Sequence, residues 1–127
     1  MHIEHIALWT DQLESLVAFY ETYFDAAAQP KYINPKTHFE SVFLTFESGA
    51  RIEIMHKPEL GVRPTEAQPL GYAHLAFSTG SREGVDRLTQ RLAADGHRVI
   101  GQPRVTGDGY FESLILDPDG NQIEITV

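Results

Sequence analysis

Apolar and polar residues alternate along residues 2–10, "HIEHIALWT", which is the period of a strand with one buried face. The spacing then becomes helical, and this pattern is shared by Leu13, Leu16, Val17, Tyr20 and Phe24. Asp11 followed by Glu14 predicts a capping box at the start of this helix. Short β-rich runs follow at 28–33, 40–47 and 51–56. This order predicts one βαβββ unit.

The same order returns after a connector at 57–70, which contains three prolines. A strand at 72–79 leads through Ser81 into a helix that ends at Gly96. Three further strands are predicted at 98–101, 110–116 and 121–127. We therefore expect an α+β fold, with one domain over 1–127 built from module 1 (1–56), a linker (57–70) and module 2 (71–127).

The two predicted units also match letter by letter. "FESVFLTFESGARIEI" at 39–54 matches "FESLILDPDGNQIEI" at 111–125 when one residue is dropped from the turn, and "HIALWT" resembles "HLAFST". His5 lies 48 residues before Glu53, and His74 lies 50 residues before Glu124. Each unit therefore has one early histidine and one late glutamate at nearly equal spacing.

Strand alternation predicts where these four side chains point. Glu53 and Glu124 each stand between two isoleucines, and His5 and His74 have the opposite parity to their apolar neighbours. All four are thus expected on the sheet face that the helices do not cover. Taken singly, each residue reads as a hydrogen-bonded histidine or a solvated glutamate. Because the set repeats, we favour a divalent metal site, with Ni²⁺, Co²⁺, Zn²⁺, Fe²⁺ or Mn²⁺ as the candidate ions.

Other polar and aromatic residues give weaker signals. Glu40 and Glu112 recur in the repeat, but without a histidine partner they read as solvated positions at strand edges. Trp9 shares the predicted face of His5 and reads either as an aromatic wall beside the metal or as a dimer contact. "PRVTGDGY" at 103–110 is predicted to be a loop, in which Arg104 and Tyr110 either contact an anionic substrate or lie at a plain surface.

Composition narrows the classes of function. The chain has no cysteine, which excludes thiolate catalysis and cysteine-bound zinc. The formal charge of −8 argues against nucleic acid as a partner, and no segment has the apolar length of a membrane span. The start of the chain does not read as a signal peptide. We expect a soluble, cytoplasmic protein that acts on a small molecule.

The four residues, together with "HIAL", "IEIM", "GYAHLAFS" and "LDPDGNQIEI", resemble the vicinal oxygen chelate superfamily over essentially the whole chain. The chain is most similar to the short bacterial glyoxalase I type (lactoylglutathione lyase) of the glyoxalase–bleomycin resistance–dioxygenase family. The resemblance implies paired βαβββ modules in a cupped mixed sheet, often in a homodimer whose metal site combines modules of both subunits. It places the four metal ligands at His5, Glu53, His74 and Glu124.

The resemblance also implies a mechanism. Glu124 would be the base that forms an enediolate from a vicinal-oxygen substrate, and Glu53 would return the proton. Glyoxalase I usually has an arginine and an asparagine for glutathione where this chain has Trp9 and Lys57. The alternatives are a metal-dependent epimerase of the same superfamily and a non-catalytic, resistance-type protein that binds a drug or metabolite.

Overall fold

The computed structural model describes residues 1–62 and 70–127 and divides the chain into two compact units, Met1–Arg63 and Pro64–Val127. The elements of the first unit are β1 (His5–Trp9), α1 (Leu13–Tyr23), β2 (Ala27–Ala28), β3 (Tyr32–Ile33), β4 (Glu40–Thr45) and β5 (Arg51–His56). Those of the second unit are β6 (His74–Ser78), α2 (Arg82–Ala94), β7 (Val99–Val105), β8 (Phe111–Leu116) and β9 (Gln122–Thr126). In the described part of the chain, neither helix is long and apolar enough to cross a membrane.

Each unit has its own mixed sheet with one helix against it. In the first unit, β1 pairs in parallel with β5, which is followed by β4, and β4 pairs with both β2 and β3. In the second unit the order is β6, β9, β8 and β7, and β6 and β9 are again the parallel pair. The predicted α+β class with two modules of this order is confirmed. Residues 63–69 of the predicted linker lie outside the described residues, so the module boundaries stay a prediction.

Buried isoleucines hold each helix to its sheet. Ile52 and Ile54 in β5 are at most 4% exposed, and Ile123 and Ile125 in β9 are fully buried. The glutamate between each pair of isoleucines is only partly buried, because successive side chains of a strand point to opposite faces. The helix-facing apolar side chains therefore fix which residues the open face of each sheet presents.

The two helices begin differently. Helix α2 has the predicted N-cap, since the Ser81 hydroxyl accepts a hydrogen bond from the Gly84 N–H at 3.1 Å. The capping box predicted for α1 is wrong, because α1 begins after Gln12 and no side chain caps it. Asp11 instead lies 3.8 Å from His56, and Glu14 binds Lys31 at 2.7 Å. Both carboxylates are thus directed to basic side chains.

The strand that follows each helix also differs from the prediction. In place of one strand at 28–33 the chain has two short strands, β2 and β3, with Pro30 between them, because proline has no N–H to donate to a sheet. In the second unit β7 is longer than predicted and continues through Pro103, with register shifts between Val99 and Arg104. Arg104 therefore lies on a strand and not in the predicted loop.

Candidate functional site

The first predicted pair, His5 and Glu53, lies on neighbouring parallel strands. His5 is in register with Arg51, and Ala7 is in register with Glu53, so His5 and Glu53 are diagonal neighbours on one face. His5 Nε2 lies 3.9 Å from a Glu53 carboxylate oxygen. Both side chains are partly exposed to solvent, His5 at 39% and Glu53 at 16%.

The second pair repeats this arrangement in the second unit. His74 is in register with Gln122, and Ala76 is in register with Glu124. His74 Nε2 lies 3.4 Å from a Glu124 carboxylate oxygen, and the side-chain exposures are 38% and 18%. The structure thus brings His5 to Glu53 and His74 to Glu124 with matching strand positions and exposure.

Each pair presents one imidazole nitrogen and carboxylate oxygens, which are suitable donors for a divalent first-row ion. Within either unit, the described residues include no group of three or more histidine, aspartate or glutamate side chains placed to hold a metal ion. One unit therefore supplies two of the four predicted ligands, and joint binding by both pairs stays a prediction.

A carboxylate next to His5 orients its ring. His5 Nδ1 lies 2.5 Å from the Glu4 carboxylate, which also contacts the Arg51 guanidinium. The His5 ring packs edge-on against Phe43, with ring centroids 5.5 Å apart. The hydrogen bond with His5, and then the hydrogen bond with Arg51, hold the pKa of the exposed Glu4 carboxyl below its usual value. The second unit has Ala73 at the position before its histidine, so His74 has no such neighbour in sequence.

The residues next to the first pair form a row across four strands in which three side chains are apolar or aromatic and one, Ser41, is polar. The register joins Trp9 to Met55, Met55 to Ser41 and Ser41 to Tyr32. Directly paired side chains share a face, so these four residues, here called the apolar row, lie on the face of His5 and Glu53. Trp9 and Tyr32 are about half exposed, at 46% and 54%.

The corresponding row of the second unit is polar. There the register joins Ser78 to Thr126, Thr126 to Glu112 and Glu112 to Arg104. These four residues, here called the polar row, lie on the face of His74 and Glu124. An Arg104 guanidinium nitrogen is 3.8 Å from a Glu112 oxygen. Arg104 also lies close to Gly101, because a Cβ added there would be 3.3 Å from Arg104 Nη1.

Glu112 is a residue of this face that the sequence reading missed. The letter match aligned it with Glu40, but in the sheets Glu112 occupies the position of Ser41, since Leu114 pairs with Glu124 and Phe43 pairs with Glu53. A shift by one residue sends a side chain to the other face. The expectation that Glu112 is a solvated edge residue is therefore wrong, and its side chain is 13% exposed. Counting residues back along each hairpin, from Glu53 to Glu40 and from Glu124 to Glu112, would have shown that Glu40 and Glu112 lie on different faces.

Burial raises the pKa of the Glu112 carboxyl, and the neighbouring Glu124 carboxyl raises it further. Arg104 acts in the opposite direction but is the weaker influence. Glu40, by contrast, contacts Lys31 at 2.7 Å. The two glutamates that the letter match aligned therefore have different partners and different surroundings.

The remaining predicted substrate contacts are exposed. Tyr110 is 61% exposed in the turn before β8, where its N–H donates to the Thr106 hydroxyl at 3.1 Å. Lys57 Nζ lies 4.7 Å from the centroid of the Trp9 ring. Trp9 and Lys57, which stand where the resemblance led us to expect arginine and asparagine, thus contact each other.

The fold agrees with comparisons to known proteins. The chain belongs to the Glyoxalase/Bleomycin resistance protein/Dioxygenase superfamily, whose family model matches residues 2–125. It is 29% identical over 126 residues to the uncharacterised protein PA2024 of Pseudomonas aeruginosa, covering 98% of this chain and 86% of that protein. It is 37% identical over 59 residues to the uncharacterised protein YqjT of Bacillus subtilis, covering 44% of this chain and 46% of YqjT.

Among solved structures, glyoxalase I of Zea mays is similar in fold. The TM-score is 0.78 at 18% identity, and the match covers 98% of this chain and 44% of the maize chain. The chain thus spans less than half of the maize protein, and at this identity the likeness concerns the fold alone. The predicted membership of the superfamily is confirmed by the family match.

Proposed function

We propose that the protein is a divalent-metal-dependent lyase or isomerase of the glyoxalase I kind, acting on a small vicinal-oxygen substrate. The observation that carries this proposal is the repeated His–Glu pair, with equal register and nearly equal exposure in both units. A fold alone does not define an activity, whereas two matching pairs of donor side chains on open sheet faces are a feature of a site. Membership of a superfamily that includes glyoxalases agrees with it.

His5, Glu53, His74 and Glu124 would together hold one Ni²⁺, Co²⁺ or Zn²⁺ ion, with Fe²⁺ and Mn²⁺ as further candidates. The donor set fits such an ion, because neutral imidazole and carboxylate groups are its usual protein ligands. When bound, the ion would supply Lewis-acid chemistry that stabilises the negative charge of an enediolate.

The glutamates of the two pairs would move the proton. Glu124 would act as the base that removes the proton on the carbon next to a carbonyl, and Glu53 would return a proton to the neighbouring carbon. Both side chains are mostly buried but retain 16–18% exposure, so a substrate can reach them from the open face. Trp9, Arg104 and Tyr110, all exposed, are the proposed substrate-binding residues.

Two alternatives predict different measurements. A metal-dependent epimerase would use the same ligands and exchange the same type of proton, but return it to the same carbon. A drug- or metabolite-binding protein would bind its ligand without proton exchange. Solvent deuterium in the recovered compound, and its position, separates the three.

We also propose a homodimer, because members of this superfamily often complete the site with modules of two subunits. Sedimentation should then show a species of twice 14.3 kDa at micromolar concentration. Mixing His5→Ala and His74→Ala chains should restore part of the metal binding that each lacks. A monomer at all concentrations would contradict the dimer, while leaving the metal site to its own test.

The deciding experiment is metal analysis of the purified protein, followed by calorimetric titration with Ni²⁺ or Zn²⁺. We expect one ion per four-ligand set, and a large loss of affinity in His5→Ala and Glu124→Ala. The matched controls are His2→Ala and Glu47→Ala, which remove the same groups at exposed positions outside the pairs. If both ligand variants bind as tightly as the controls, the site assignment is wrong. The metal-loaded protein should then be assayed against methylglyoxal with several thiols.

A further inference from the structure

Three aromatic rings lie together on the sheet face of the His5–Glu53 pair, and two of them, Trp9 and Tyr32, are exposed. The Phe39 ring is edge-on to Trp9, with centroids 6.2 Å apart, and also 6.2 Å from the Tyr32 ring. Met55 belongs to the same row, two residues beyond Glu53 on β5, a step of roughly 7 Å. A group held at the His5–Glu53 pair therefore needs to extend by only a few bonds to reach this apolar surface.

Lys57 adds an uncompensated positive charge to the surface. Its Nζ lies over the Trp9 ring, and none of the ion pairs found within residues 1–62 and 70–127 includes Lys57. Lys31, Arg51 and Arg104 differ, because each contacts a glutamate. In a chain with a formal charge of −8, a cation without a carboxylate partner can still be neutralised by an anion from outside.

We propose that the apolar row, together with Phe39 and Lys57, binds an aromatic carboxylate portion of the substrate. The rings and Met55 would cover the flat apolar group, and Lys57 would pair with the anion. A cationic ligand is disfavoured, because Lys57 already lies over the Trp9 ring and would repel it. This assignment rests on the proposed function, because only that function makes the neighbouring His5–Glu53 pair part of a reacting centre. The class of substrate that it names is a planar, apolar acid.

Trp9 is the single tryptophan of the chain, so intrinsic fluorescence reports on this surface directly. Phenylacetate is the probe, with phenethyl alcohol as the uncharged ring, acetate as the charge without a ring, and phenethylamine as the cationic ring. We expect phenylacetate to change the Trp9 emission saturably, with a dissociation constant on the order of millimolar. Phenethyl alcohol should bind about two- to fivefold more weakly, the value of an exposed charge pair. Acetate and phenethylamine should give no saturable change.

Two variants keep the fluorophore and test the contacts. Lys57→Gln should weaken phenylacetate binding by about two- to fivefold and leave phenethyl alcohol unchanged. Its matched control is Lys36→Gln, an equal loss of charge at an exposed turn position. Tyr32→Ala should weaken both ring compounds by about two- to tenfold. Its control is Tyr72→Ala, which removes a ring that is 99% exposed in the other unit.

Several results would overturn the proposal. These are an unchanged Trp9 emission with phenylacetate, equal binding of phenethylamine, and equal behaviour of Lys57→Gln and Lys36→Gln. A second copy of the chain, rather than a substrate, covers the row if Tyr32→Ala converts a dimer to a monomer and no probe binds. Because emission is read without turnover, these failures are separable from failure of the metal titration, which tests the proposed function alone.

Discussion

Trp9 in the first unit corresponds to Ser78 in the second, and a polar side chain likewise replaces an apolar or aromatic one at three of the four positions of the two rows. The pairs at matching register positions are Trp9 and Ser78, Met55 and Thr126, Ser41 and Glu112, and Tyr32 and Arg104. Earlier along the same parallel strands, both units keep a histidine and a glutamate at equal register positions. The repeat thus preserves the donor pair while its surroundings have opposite polarity.

The difference shows which constraints the fold imposes. A side chain on the helix face is buried against α1 or α2, so it is either apolar, like the isoleucines of β5 and β9, or hydrogen-bonded, like Ser113, whose hydroxyl lies 2.6 Å from that of Thr89. The open face carries no such requirement, so its residues can differ without cost to the core. Residues kept equal on the open face therefore point to chemistry, and residues that differ there point to specificity.

The two donor pairs also differ in the position of the additional carboxylate that contacts them. His5 has Glu4 at its Nδ1, and Glu4 is itself held by Arg51. In the second unit the extra carboxyl, Glu112, stands beside the glutamate and not beside the histidine. The first unit thus orients its imidazole, whereas the second unit places its carboxylate next to a like group.

The largest effect should be the same in both units. Ile54→Ala and Ile125→Ala each remove a fully buried side chain at corresponding positions, so each should lower the free energy of unfolding by about 2–5 kcal/mol. Denaturant titration followed by circular dichroism measures both. A difference of more than about 2 kcal/mol between the two variants would break the idea that the helix faces are equivalent.

The glutamates of the two pairs should separate in catalysis. With any substrate found in the thiol screen, Glu124→Gln should lose at least about a hundredfold in turnover while keeping the fold, since a positioned base contributes that much. Glu53→Gln should also lose turnover, but it should still exchange the substrate proton with solvent deuterium. If Glu53→Gln abolishes exchange and Glu124→Gln retains it, the two roles are reversed.

Removing the support of His5 should have a smaller effect. Glu4→Ala deletes the carboxylate at His5 Nδ1, and loss of such a group typically weakens metal binding by about 10–100-fold. Because Glu4 is exposed, we expect the lower end, about tenfold, by calorimetry with Ni²⁺ or Zn²⁺. Glu47→Ala is the matched control for the lost charge. Equal affinities in the two variants would show that the units do not differ in this respect.

Periodicity was sufficient to predict the order of elements in the two units and the shared face of each His–Glu pair. Alternation around Glu53 and Glu124 fixed their face, because an isoleucine on each side has to be buried. The helix start at Ser81 followed from local chemistry, since its hydroxyl accepts a hydrogen bond from the Gly84 N–H three residues later. Signals of this type are local, and the structure agrees with them.

Features that depend on pairing between distant strands were not predictable in the same way. The strings "FES" at 39–41 and 111–113 look equivalent, yet they are offset by one place in the two sheets, which turns Glu112 to the open face. Arg104 was assigned to a loop because glycines follow it, whereas pairing with Glu112 keeps it in β7. The capping box at Asp11 and Glu14 failed because His56 and Lys31 attract those carboxylates.

The smallest effect tests the extra carboxyl of the second unit through pH. The pKa of Glu112 is raised in the folded protein, first by burial and then by Glu124, so the folded state holds this proton more firmly than the unfolded state. The stability that it contributes is therefore present below the usual glutamate pKa and is lost as the pH rises through the raised pKa.

Glu112→Gln resembles the protonated form at every pH. In chelator-treated protein, this variant should equal the parent below about pH 4 and be more stable at pH 7 by about 0.2–1 kcal/mol, the size of a cross-strand charge interaction. Thermal unfolding across this range measures the difference, with Glu40→Gln as a control that removes a partner of Lys31 and so gives no stabilisation at pH 7. A Glu112→Gln variant less stable than the parent at pH 7 would mean that Arg104, and not Glu124, dominates the surroundings of Glu112, and the two rows would then differ less in their electrostatics than the structure indicates.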